Sequence, residues 1–260
     1  MGFDLIMVLF SFLLGLSFGS FMNVCIYRIP LKKSIISPPS TCPHCGERIK
    51  FYDNIPLLSY LLLAGRCRRC NHPVSWRYPI VEGLTGLLSL ALFIRYGFSY
   101  QYILAFLFAT TLVTISFIDL DHKIIPDILS LPGIVAGWGV SFLPGSVFWL
   151  DSLIGTVAGG GALFIVAFIY ERITGREGMG GGDIKLLAMI GAWMGWRPLP
   201  LIVLISSLTG AVIGSVFILF AGKGYRARIP FGPFLSLGAI FYLFFGSEFA
   251  RWYFGLFMQG

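Results

Sequence analysis

Apolar runs of about 20 residues recur along this chain, and nothing else restricts its fold as much. A helix needs ~20 apolar residues, at a rise of ~1.5 Å each, to cross a hydrocarbon core of ~30 Å. In lipid every backbone polar group must be satisfied internally, which a helix does within one segment. The expected spans cover roughly residues 4–24, 79–95, 101–119, 128–144, 152–170, 184–197, 199–221 and 231–249. Composition agrees, because 57% of the residues are hydrophobic and only 12% are charged. A soluble domain carries about 25% charged residues. The expected class is an all-α polytopic membrane protein of about eight transmembrane helices. The first run, Asp4–Val24, has no basic start and no small-x-small cleavage site. It is expected to be a retained span, not a signal peptide.

The formal net charge is +7. Nucleic-acid binding is the usual first inference from such a balance, but here the charges sort by loop. Arg28, Lys32, Lys33, Arg48, Lys50, Arg66, Arg68, Arg69, Arg77, Lys123, Arg172, Arg176, Lys185, Lys223, Arg226 and Arg228 fall on one side of the alternating spans. Only Arg95, Arg197 and Arg251 fall on the other. The positive-inside rule puts the first set in the cytoplasm and both termini outside. No nucleic-acid partner is expected. The chain divides into a first helix at 1–30, a cytoplasmic loop domain at 31–78 and a polytopic domain at 79–260.

That loop holds four of the five cysteines, as Cys42-Pro43-His44-Cys45 and Cys67-Arg68-Arg69-Cys70. Thiols stay reduced in the cytoplasm, so metal binding is the stronger reading than disulfides. Two such pairs supply the four sulfurs that Zn²⁺ takes in tetrahedral sites. A closed four-sulfur set leaves no open position, so the expected zinc is structural; redox sensing is the other reading of the same thiols. The apolar stretch from Phe51 to Gly65 is too short to span and is expected to belong to this domain or the membrane interface. Cys25 reads as a small buried apolar residue. Glu82, just inside a helix start, reads first as an acid favoured by the helix dipole.

Two carboxylates stand out because hydrocarbon cannot solvate them. Gly180-Gly181-Gly182-Asp183-Ile184-Lys185 runs from glycines into the apolar segment Leu186–Trp196, and Ile118-Asp119-Leu120-Asp121 closes another. An ionisable side chain at membrane depth is a functional hypothesis by default. Peptide hydrolysis needs a base to activate water and an acid to protonate the leaving nitrogen. Two adjacent carboxyl groups sharing one proton supply both. Asp119 ends one span and Asp183 begins another on the same side, so they are expected at one depth. Asp127 reads as a helix-start charge after Pro126. A proton or ion relay, or simple helix capping, would use the same carboxylates.

These residues carry a resemblance. Gly180-Gly181-Gly182-Asp183 fits the GxGD signature of intramembrane-type aspartic proteases. Gly19-Ser20-Phe21-Met22-Asn23-Val24, Arg28-Ile29-Pro30, the two cysteine pairs, Ile118-Asp119-Leu120-Asp121, Glu177 to Ala188 and Ile229-Pro230-Phe231-Gly232-Pro233 follow in order along nearly the whole chain. Together they closely resemble the bacterial type IV prepilin peptidases. The resemblance implies an inner-membrane enzyme of type IV pilus and type II secretion systems. It would cleave the basic leader of prepilin and pseudopilin precursors on the cytoplasmic side, then methylate the new N-terminus with S-adenosylmethionine. It implies Asp119 and Asp183 as the catalytic pair and Cys42, Cys45, Cys67 and Cys70 as zinc ligands.

The methyl donor is expected in the loop Lys32–Tyr78, with Gly65 and Glu82, where no Rossmann-type glycine fingerprint is present. Asp121, Gly180, Gly181, Gly182 and Lys185 are expected near the substrate. Asp121, Asp127, Glu171 and Glu177 would form an acidic mouth for a basic leader, and lipid-facing helices would receive its apolar segment. Two other functions stay open on the residues alone. One is an ion-coupled transporter using the two aspartates as a relay. The other is a membrane scaffold that docks partners through the zinc loop.

Overall fold

The computed structural model describes residues 4–175, 180–221 and 229–258. Glu177 and the basic loop residues Arg176, Lys223, Arg226 and Arg228 therefore lie outside the described residues. The helices are α1 (Leu5–Arg28), α2 (Leu58–Leu62), α3 (Arg77–Tyr96), α4 (Tyr100–His122), α5 (Asp127–Val140), α6 (Trp149–Thr174), α7 (Gly181–Met194), α8 (Leu199–Ala221) and α9 (Gly232–Met258). Among the described residues there is no strand, only two isolated bridges, Thr41 with Arg48 and Arg66 with Pro73. The protein is an all-α, multi-pass membrane protein. Among the described residues, five helices are long and apolar enough to cross a membrane: α1, α3, α4, α6 and α8 over Leu199–Phe217. The sequence predicts eight spans; the other three helices are shorter in their apolar part. α5 has 14 residues, α7 has 14, and the described apolar stretch of α9 is Gly232–Gly246.

The chain forms two compact units, Met1–Ile118 and Asp119–Gly260, with the boundary inside α4. In the first unit α1 packs along α3. Small residues set that approach: a Cβ on Gly19 would lie 2.7 Å from the Glu82 Cα, and one on Gly15 would lie 2.5 Å from the Ser89 Cβ. Small-residue seams let helix backbones approach where lipid offers no hydrophobic drive for association. Ser89 donates to the Ser11 carbonyl at 2.6 Å across the same seam.

In the second unit α7 is the hub. It contacts α5, α6, α8 and α9, and seven consecutive residues, Leu186 to Ala192, are buried. A helix buried all round reads in sequence like one facing lipid all round, because both are apolar on every face. The predicted span 184–197 is in fact the protein-enclosed core of this unit. Its short length follows, since it is enclosed by neighbours over most of its run. Gly155 of α6 and Gly191 of α7 stand backbone to backbone, so a Cβ on either would collide with the other's carbonyl. Ser152 Oγ donates to the Ala192 carbonyl at 2.6 Å, and Trp193 Nε1 to the Gly133 carbonyl of α5 at 2.8 Å. These contacts hold the second half of α7; nearer its start, which carries Asp183, Gly159 of α6 lies against the Leu187 carbonyl and Gly182 against Ile125.

Candidate active site

Asp119 lies in the last turn of α4 and Asp183 in the first turn of α7, both within the second unit. Asp119 is buried, at 5% exposure, and Asp183 is half-buried. The starts of α7 and α9 meet at Ile125, where a Cβ on Gly182 would stand 2.9 Å from Ile125 Cβ and one on Gly232 3.2 Å from its Cδ1. Asp119 does not hang free: the Gly232 backbone N–H, at the start of α9, donates to its Oδ2 at 3.0 Å. A Cβ at Gly232 would stand 2.6 Å from that oxygen. Only glycine leaves room for the amide and the carboxyl to meet. The residue letters alone give Gly232 no role; the prolines near it on either side, Pro230 and Pro233, are the signal in the sequence of a fixed backbone.

The glycines before Asp183 differ among themselves. Gly180 is the N-cap of α7, and among the described residues nothing lies within 4 Å of a Cβ placed on it or on Gly181. Gly182 packs on the Ile125 side chain, where a Cβ would sit 2.9 Å from Ile125 Cβ. A side of the site is therefore open beside two glycines and closed by Ile125 beside the third. Lys185 Nζ pairs with Asp127 Oδ1 at 2.6 Å, tying the starts of α5 and α7 together. Asp127 thus has a cationic partner in addition to its place at a helix start. Asp121 is exposed one turn-half beyond Asp119, and Glu171 is exposed near the end of α6.

The first unit carries a different constellation. Each cysteine pair closes a small knuckle of the same design. Cys42 N–H donates to the Glu47 carbonyl at 2.8 Å and Cys67 N–H to the His72 carbonyl at 2.9 Å. Gly46 and Asn71, each directly after the second cysteine of its pair, both take left-handed backbone, at φ 70° and 56°. Glycine and asparagine are the residues that tolerate that region best. The His44 and His72 rings stack, with centroids 4.3 Å apart. All four Sγ atoms lie within 4.8 Å of one another, and Cys42 and Cys70 are 3.9 Å apart. A zinc bound tetrahedrally at about 2.3 Å has sulfur–sulfur edges of about 3.8 Å, so the donor set fits that metal. Backbone N–H groups of Cys70 and Arg69 lower the Cys67 thiol to about 6, which favours the thiolate a metal requires.

Between the knuckles, the stretch expected in this domain or at the membrane interface forms a 3-10 turn at Phe51–Asn54 and the short helix α2, both within the cysteine-bearing segment. Arg68 holds Asp53 through two nitrogens, with contacts of 2.6 and 2.9 Å, and Arg69 pairs with Glu47. Gly65 is left-handed, at φ 65°, and a Cβ there would sit 2.8 Å from the Tyr60 hydroxyl. Glu82 corrects the sequence reading. It is the sixth residue of α3, past the first turn, so it is no helix-start acid. It is buried, and its Oε2 accepts the Leu57 N–H at 2.9 Å. Gly65 and Glu82 both line one cavity of about 820 Å³ in this unit.

The class these features define is a polytopic helical membrane protein with four clustered cysteines that could hold a metal ion in one unit and the carboxyl groups of Asp119 and Asp183 in the other. Residues 13–96 match the bacterial peptidase A24 N-terminal domain, and residues 106–215 match the type IV leader peptidase family. The chain belongs to the type IV leader peptidase family. It is 40% identical, over 93% of its length and 92% of the relative's, to a prepilin leader peptidase/N-methyltransferase of Aeromonas hydrophila. Proteins of the same name in Legionella pneumophila and Pseudomonas aeruginosa are 39% and 38% identical. Each of those two matches covers 95% of this chain, with 94% and 93% of the relative. No solved structure matches the chain.

Proposed function

We propose that this protein cleaves the leader of type IV prepilin and pseudopilin precursors with Asp119 and Asp183, and methylates the N-terminus so exposed with S-adenosylmethionine. The observation that carries the peptidase half is the buried Asp119, fixed by the Gly232 amide, in one unit with Asp183, where Ile125 packs against both Gly182 and Gly232. One carboxylate takes a proton from water, whose oxygen attacks the scissile carbonyl. The other, protonated, gives its proton to the carbonyl oxygen. Collapse of the tetrahedral species breaks the C–N bond, and the leaving nitrogen takes a proton from the pair. The open space at Gly180 and Gly181 is where an extended substrate backbone would approach, with Asp121 and Lys185 beside it. The exposed acids Asp121 and Glu171 suit a basic leader.

The methylating half is supported by the name its relatives carry and by the full four-cysteine set. Cys42, Cys45, Cys67 and Cys70 would hold one structural Zn²⁺. When bound, S-adenosylmethionine would supply an electrophilic methyl group for the N-terminal amine. The protein would sit in the bacterial inner membrane, with the lysine- and arginine-rich loops, the cysteine segment and the aspartate pair on the cytoplasmic side.

The test is cleavage of a prepilin-like peptide by purified protein in detergent. Wild type should release the leader, and Asp119→Asn and Asp183→Asn should each lose at least about a thousandfold, roughly 4 kcal/mol of transition-state stabilisation. A wild-type protein that cuts nothing, or variants that cut normally, would overturn the assignment. Proton-coupled uptake without proteolysis would instead point to a transporter.

A further inference from the structure

We infer that the cavity of the first unit is the binding site for the sulfonium methyl donor, with Asn23 and Glu82 as its recognition groups. The inference rests on the methylating half of the function proposed above and places it in named residues. At about 820 Å³ the cavity has the size of a small-molecule site, commonly 300–1,000 Å³. Its wall is built by the end of α1, the cysteine segment and the start of α3.

Two side chains on that wall are left in states that a ligand would complete. Asn23 is 2% exposed, and its orientation is fixed because Nδ2 donates to the Tyr78 carbonyl at 3.1 Å. That leaves Oδ1 buried with no hydrogen-bond partner. An unsatisfied buried acceptor costs about 1–3 kcal/mol, so such atoms call for a reason. A ligand N–H is one. Glu82, also buried, takes its hydrogen bonds from neutral donors, the Leu57 amide and the Ser20 hydroxyl. Neither compensates a negative charge. The other acids on the wall, Asp53 and Glu47, are held by Arg68 and Arg69.

The donor's chemistry answers both. Its sulfonium and ammonium are cations that a desolvated carboxylate would stabilise, and its adenine and ammonium carry N–H donors. Its own carboxylate needs a cation, and Arg48 and Arg66 line the same cavity. The site is built at the α1–α3 seam, where Gly19 lets one backbone close on Glu82 and Ser20 follows it directly. A polar site of this kind rejects ligands that leave its groups unpaired far more strongly than an apolar one does.

The experiment has two arms. In the first, the wild-type protein in detergent is irradiated with methyl-labelled S-adenosylmethionine and the label is mapped by peptide. Label within residues 20–82 is the expected result; label confined to the second unit overturns the inference. In the second, donor affinity is measured by calorimetry for wild type, Asn23→Leu and Glu82→Gln, with leader cleavage as the index of folding. Both variants should bind the donor at least tenfold more weakly while cleavage stays within twofold. Variants that bind and methylate as wild type does overturn the site and leave the function standing. A wild type that neither binds the donor nor methylates a cleaved peptide removes the function, and the site with it.

Discussion

Gly232 shows how a residue without a side chain sets the state of one with a charge. Its amide donates to Asp119 Oδ2, and any Cβ would displace that oxygen. A hydrogen bond to a charged group contributes about 1.5–3 kcal/mol. Gly232→Ala should therefore cut leader cleavage by about 10- to 100-fold, in a steady-state assay at fixed substrate, with methylation of a precut peptide unchanged. Full cleavage by that variant would show that the amide contact has no part in the chemistry. Asp119 and Asp183 were legible in the sequence because a carboxylate among apolar residues stands out whatever the fold. The Gly232 contact was not, since a backbone N–H has no letter of its own. The Asn23 acceptor was hidden for a related reason: its meaning lies in a missing partner, which only geometry displays. Glu82 was legible as an anomaly but misread, because its distance from the true start of α3 at Arg77 decides whether the helix dipole reaches it.

At the scale of elements, α7 carries Asp183 and depends on its seam with α6. A side chain at Gly191 would strike the Gly155 carbonyl. Overpacking of this kind costs about 1–3 kcal/mol. Gly191→Val is expected to lower the thermal unfolding midpoint in detergent and to reduce cleavage by pushing α7, which carries Asp183, away from α6. The Lys185–Asp127 pair is different. Both partners are more than a third exposed, at 39% and 57%, so the pair is expected to matter little, within ~1 kcal/mol. The order of the long helices could be read from apolar runs, and each expected segment begins within three residues of a helix start, whereas the short α2 was not foreseen and α9 runs on to Met258. What the runs could not disclose was who covers each face. α7 and a lipid-facing span have the same composition, and enclosure by four other helices is a property of the assembly, not of the segment.

Over the whole molecule, the two compact units each contain a complete set of candidate groups, cysteines with Glu82 and Asn23 in one and the aspartates with Gly232 in the other. Substitutions in one unit should leave the chemistry of the other measurable. Serine at all four cysteines is expected to abolish metal content and methylation while cleavage remains within severalfold, read by metal analysis and by mass spectrometry of the product N-terminus. Loss of both activities together would show that the units do not work independently. Acid should act in the same direction as the serines. Protons compete with the metal for the four thiolates, so metal retention is expected to fall as pH is lowered from neutrality, read by metal analysis.

The paired knuckles bring together chain segments separated by the whole of Gly46–Arg66, with the same backbone turn on each side. A single ion would then be the clasp on that span, and the donor cavity shares its walls with Cys42 and Cys67. Starvation for the metal should thus divide the product rather than stop it. Pilins would still lose their leaders, yet carry a bare amine where a methylated one belongs.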